Sequence, residues 1–122
     1  MRTKKILKLW DEYFNEGSIS SIVNLYNKES TLFPTFSNQI LTDREKIKEY
    51  FYKVLIEEKV SVETIFDSVT EEKIGEKIFL LVGNYFFKFR KNKIVKARFS
   101  FIISLLSDNP IIHHHSSRIP ID

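Results

Sequence analysis

With 122 residues, 43% of them hydrophobic and 29% charged, and only 3 Gly and 3 Pro, the chain is neither disordered nor of low complexity, and it is long enough for one core but not two. A single domain over residues 1–122 is expected. The balance of 19 Lys and Arg against 16 Asp and Glu leaves +3, too mild to announce nucleic acid or an anionic membrane, and zero Cys removes disulfides, thiolate zinc sites and Cys nucleophiles together.

The opening stretch MRTKKILKLWDEYF is basic in front like a secretory leader, but Lys8, Asp11 and Glu12 interrupt what would be its apolar part. No apolar run approaches the roughly 18 residues of a membrane span, so the sequence reads as a mature cytoplasmic protein. Ile6, Leu9, Trp10, Tyr13 and Phe14 recur at helical spacing, with Thr3 as cap and Gly17 as stop. Ile19, Ile22, Val23 and Tyr26 follow Ser18 on a second, shorter helix. A third is expected from Asp43 to about Glu57, where Thr42-Asp43-Arg44-Glu45 matches a capping box ahead of the stripe Ile47, Tyr50, Phe51, Val54 and Leu55.

After Glu58 the texture changes to β-branched and aromatic runs, predicting strands over 60–69, 77–90, 94–106 and 111–117, with a short one near Leu32. Lys91-Asn92-Lys93 and Asp108-Asn109-Pro110 supply the turns. Helices followed by adjacent antiparallel strands give an α+β fold with the helices on one face of a curved sheet. From Ile94 onward one parity carries Val95, Ala97, Phe99, Phe101 and Ile103 and the other Lys96, Arg98 and Ser100, while both parities of 79–89 are apolar. Three helices cover one face, so the other is expected to meet a second copy, most simply as a two-fold dimer.

The only His residues are His113, His114 and His115. On a strand the first and third share a face with Ser117 while His114 points the other way. That pair could ligate a metal only with a third ligand from elsewhere, and no Glu-x-x-His pattern supplements it, so hydrogen bonding within the fold is the simpler reading and no metal is expected. Arg98 sits mid-strand in KARFSF, where a buried guanidinium needs either a helix carboxylate or an anionic ligand. Tyr26, Tyr85 and the His strand could add donors to such a pocket. Ser116 and Ser117 lack a G-x-S-x-G elbow, and Gly17, Gly75 and Gly83 form no phosphate loop. The cations Lys88, Arg90, Lys91, Lys93 and Lys96 near Phe86, Phe87 and Phe89 are the one feature suited to nucleic acid, but they cluster about a hairpin turn, where a solvated loop is the ordinary explanation.

Taken together, Trp10 and Tyr13 before Gly17, then LFPTFSN (32–38), TDREKIKEYF (42–51), GNYFFKF (83–89), ARFSF (97–101) and HHHSSRIP (113–120) resemble the nuclear transport factor two-like superfamily, near its SnoaL-like group. Within it the similarity is to bacterial relatives of the association, or hub, domain of calcium/calmodulin-dependent protein kinase. The resemblance implies a cone: three N-terminal helices against a strongly curved antiparallel sheet, the cystatin-like α+β barrel, with an internal cavity and oligomers formed through the outer sheet surface. It also implies that Arg98 matches a cavity Arg and that His113 and His115 match two His of the last strand, with Tyr85 standing where the hub carries another Arg. Other members are ketosteroid isomerases, polyketide cyclases and dehydratases. For that chemistry Asp67 is the nearest candidate carboxylate, and His115 is the preferred general base, with Arg98 holding an anionic substrate. The expectation is therefore a small cytoplasmic homo-oligomer without a cofactor that binds an anionic small organic molecule in its cavity through Arg98, His113, His115, Tyr85 and Tyr26. An isomerase- or cyclase-type enzyme and a nucleic-acid binder are the alternatives.

Overall fold

The computed structural model describes residues 2–121. Helix α1 (Arg2–Glu16) turns Leu7, Trp10 and Phe14 into the core. It ends at Gly17, whose left-handed backbone (φ 69°) lets the Ser18 N–H reach the Tyr13 carbonyl (2.9 Å) and its own N–H reach that of Phe14 (3.1 Å). Thr3 is not the cap expected of it: it lies inside the first turn, buried, with its hydroxyl bonded to Glu71. The second helix, α2 (Ile19–Asn24), stops short of Tyr26, which opens strand β1 (Tyr26–Phe33). Asp43 caps α3 (Arg44–Phe51) by accepting the Lys46 N–H at 2.9 Å, and the helix continues as a π-turn over Tyr52–Glu57 that buries Val54 and Leu55.

The remaining strands are β2 (Ser61–Gly75), β3 (Ile78–Lys88), β4 (Ile94–Ser104) and β5 (Ile111–Arg118), in sheet order β1-β5-β4-β3-β2. Strands β2 to β5 pair antiparallel as expected, but β1 is a full edge strand running parallel to β5. The chain leaves β1 through α3 and the other strands before it returns beside it, a crossover that brings both back in the same direction.

The sheet bends where β2 bulges. Its register with β3 passes from Ile65↔Asn84 to Thr70↔Val82, and the Ser68 hydroxyl bridges the gap by accepting the Asn84 N–H (2.8 Å) and donating to the Ile65 carbonyl (2.6 Å). Gly83 faces this bulge, and a Cβ there would stand 2.9 Å from the Phe99 ring and 3.1 Å from Val69. Gly83→Ala is expected to cost about 1–3 kcal/mol in urea unfolding through overpacking; an unchanged midpoint would show that the ring yields freely.

The edge of β2 is closed by side chains of α1. The Asn15 amide donates to the Val62 carbonyl (2.9 Å) and accepts the Val62 N–H (2.8 Å), as a neighbouring strand would, and Asp11 takes the Thr64 N–H (3.3 Å) and hydroxyl (2.6 Å). Between helices and sheet the space is filled with rings. Trp10 stacks on Tyr85 at 5.6 Å, Tyr85 packs on Phe87 and Phe99 at 4.7 Å each, and Phe101 stacks on His114 at 3.9 Å. This accounts for the 14% aromatic content. Among the described residues no helix is long and apolar enough to cross a membrane.

Candidate functional site

The sheet divides the predicted site residues between its two faces. On the inner face Phe101 pairs with His114, Phe99 with Ser116 and Ala97 with Tyr85. On the outer face Ser100 pairs with His115, Ile102 with His113 and Arg98 with both Ser117 and Asn84. Arg98 is therefore not in the hollow of the cone. It is exposed on the outer face, and among the described residues neither a carboxylate nor any other side chain engages it. The physical reason is parity: Ala97 and Phe99 face the helices, so the residue between them faces away. His113 and His115 go with Arg98, and the expected cluster of all five residues inside one cavity is overturned.

The outer side chains nevertheless make a surface of their own. Arg98, His115, Ser117, Ser100 and Asn84 line a cleft of about 510 Å³. His113 is half-buried beside it, its Nδ1 bonded to the Thr31 hydroxyl at 2.6 Å. Partial burial, and then the nearby His115, depress its pKa. The exposed His115 ring packs on Phe33 at 5.1 Å and has no carboxylate to orient it among the described residues. Along the same face run the half-buried Phe33, Leu80, Val82, Phe86 and Ile102.

Inside the cone, Tyr26, Tyr85 and His114 are fully or almost fully buried. The Trp10 indole N–H donates to the Tyr26 hydroxyl (3.1 Å), which meets His114 Nδ1 (2.8 Å); His114 Nε2 meets the Tyr85 hydroxyl (3.0 Å), which donates to Ser116 Oγ (2.5 Å); Ser116 bonds to Thr35. Burial pushes the imidazole pKa well below its usual 6.5, so His114 is neutral, and it pushes both phenols up. None of the described clefts is lined by Trp10, Tyr26, Tyr85 or His114. Their polar atoms are bonded to one another instead of being held open for a guest.

The carboxylates also fall elsewhere than the sequence suggests. Asp67 is exposed on the β2 bulge, away from the core. The perturbed acid is Asp11, pushed up from 3.8 to about 6 by burial, against which its hydrogen bonds from Thr64 pull only partly. Among the described residues no three of His, Asp and Glu gather as a metal-ligand set. The hairpin cations are exposed, and Lys93 and Lys96 lie over the rings of Phe89 and Phe86 at 5.4 and 5.8 Å.

Three helices against a bent five-stranded sheet in this order define the nuclear transport factor two-like, or cystatin-like, α+β fold. The chain is similar over 99% of its length to 88% of a Xanthomonas campestris protein assigned to the calcium/calmodulin dependent protein kinase II association domain, with a TM-score of 0.85 and 25% identity. It is also similar, over 96% of this chain and 99% of that one, to an NTF-2 like protein of unknown function from Shewanella oneidensis MR-1 (TM-score 0.75, 18% identity). A Novosphingobium aromaticivorans protein assigned as a scytalone dehydratase shares the fold at TM-score 0.82 and 8% identity, over 97% of this chain and 82% of that one. No protein-family profile and no curated protein sequence matches the chain. The fold is thus shared by enzymes and by proteins of unknown function, and it does not choose between them.

Proposed function

We propose that the chain is a small homo-oligomeric domain of this fold that binds an anionic organic molecule, and that the binding cation is Arg98 on the outer sheet face. The observation that carries the reading is the unengaged guanidinium itself, set in a cleft with Asn84, Ser100, His115 and Ser117. A planar fork with five donors can take a carboxylate through two parallel hydrogen bonds, and the surrounding amide, hydroxyls and imidazole supply further ones. His113 borders the site, while Tyr26 and Tyr85 support β5 and β4 from behind.

Self-association through the same face is supported by a second observation. Phe33, Leu80, Val82, Phe86 and Ile102 form an apolar band flanked by charges of both signs, Lys88 and Lys96 against Glu63 and Glu72, so a copy related by a two-fold axis could bring opposite charges together while Arg98 stays open to a ligand. The association-domain assignment of the Xanthomonas protein agrees with this.

A thermal-shift screen of small carboxylates tests the ligand reading, because a molecule that binds only the folded state raises the melting temperature as its occupancy grows. A rise with the wild type that is absent in Arg98→Ala is the expected result; shifts of equal size in both proteins would remove Arg98 from the account. Sedimentation at micromolar protein is expected to show a species of at least twice the chain mass, and a monomer alone would end the assembly reading.

A further inference from the structure

The hydrogen-bonded chain through the core has a direction, and that direction can be read from its first member. An indole N–H donates and cannot accept. The Tyr26 oxygen takes that hydrogen, so its own proton goes to the remaining partner, His114 Nδ1. A neutral imidazole that accepts at Nδ1 carries its proton on Nε2 and gives it to the Tyr85 oxygen. Tyr85 donates to Ser116; a Ser116 oxygen that also accepted from Thr35 would leave its own proton without a partner in a buried place, so that proton goes to Thr35 Oγ1 and the Thr35 proton is left over. Reversing the order would strand the Tyr26 proton in a fully buried site with no acceptor.

Thr35 lies at the surface. It lines a cleft of about 370 Å³ between the loop after β1 and the end of β5, together with Ser37, Asn38, Gln39, His115 and Arg118. Among the described residues no carboxylate lines this cleft, and Arg118 is exposed and unpaired. We infer that this cleft is a second binding site, selective for hydrogen-bond acceptors such as a carboxylate, in which the Thr35 hydroxyl is held as a donor by the bonded chain that begins at Trp10. Each bond in such a series polarises the next, so the terminal hydroxyl is a stronger donor than a free threonine. The site is distinct from the Arg98 cleft, with which it shares His115 and Ser117 across β5.

Nuclear magnetic resonance of the isotope-labelled full chain tests both halves of the inference, with benzoate and benzylammonium as probes. The His114 nitrogen shifts are expected to report the Nε2–H tautomer. Benzoate is expected to perturb Thr35, Asn38 and Arg118 where benzylammonium does not, and to do so equally in Arg98→Ala, which separates this site from the one proposed above. Thr35→Val should weaken that response about tenfold, the loss of one good hydrogen bond, and Thr35→Ser should restore it. An Nδ1–H tautomer, equal perturbation by benzylammonium, the same benzoate affinity in Thr35→Val, or no response at Thr35 to millimolar benzoate would each overturn the inference. The tautomer and the wild-type titration decide it even if the valine variant does not fold.

Discussion

Replacing His114 by leucine is expected to lower the unfolding free energy by about 3–5 kcal/mol. The ring is buried, stacked on Phe101, and bonded at one nitrogen to Tyr26 and at the other to Tyr85. Leucine fills similar space but leaves the Tyr26 proton without an acceptor and the Tyr85 oxygen one donor short, although Trp10 and Ser116 still hold the two phenols, and each such loss costs about 1–3 kcal/mol. The same substitution at His115, one residue away on the exposed face, should change stability by less than about 0.5 kcal/mol. Urea unfolding of the two variants at pH 7 gives the comparison, and comparable losses would mean that the core network adds little.

Asp11→Asn is expected to stabilise the protein above pH 6 by about 2 kcal/mol. In the fold the Asp11 carboxyl titrates near 6 instead of 3.8, because helix α1 presses it against β2. The folded state therefore holds this proton more tightly than the unfolded chain. That advantage is complete below about pH 4 and is lost as pH rises toward 6, after which the cost of the buried charge is constant. A rise of that size is worth about 3 kcal/mol for a fully enclosed group, and less here because the carboxyl keeps some contact with solvent. Asparagine keeps one oxygen for the Thr64 N–H, turns its amide N–H2 toward the Thr64 hydroxyl, which rotates to accept, and carries no charge to desolvate. Unfolding curves of both proteins between pH 4 and 8 should converge at the acid end and separate through pH 6, and a constant difference would mean that the charge is not what matters. His114 slopes the opposite way: its depressed pKa contributes stability above 6.5 that fades as pH falls.

Much of the architecture was written in local patterns. The alternation in 94–104 separates Ala97, Phe99 and Phe101 from Lys96 and Arg98, and the strand buries the first set and exposes the charged residues of the second. By itself that alternation turns Arg98 outward, whereas the positional match to a cavity arginine implies an inward place. Period two sets His114 apart from the apparent pair His113 and His115, although its inward position among aromatic strands is the informative one. The break in β5 between Ile111 and His113 hides this, since one extra residue shifts the alternation and puts both Ile111 and His114 inside. Strand β1 was legible only near Leu32, because its start, Tyr-Asn-Lys-Glu-Ser, carries no alternating pattern. Contacts between distant segments, such as Trp10 with Tyr26 or Asn15 with Val62, leave no periodic trace at all.

Asn15 has a consequence for how this molecule would fail. A margin sealed by a backbone ladder opens only when a whole strand peels away, whereas one sealed by side chains of a helix, here Asn15 with Asp11, is as secure as the posture of that helix. A slight tilt of α1 would unlatch it while the rest of the sheet stayed intact, and would present a ready template to the next molecule. Damage to the first helix should therefore be felt as chain-to-chain polymerisation before it is felt as melting.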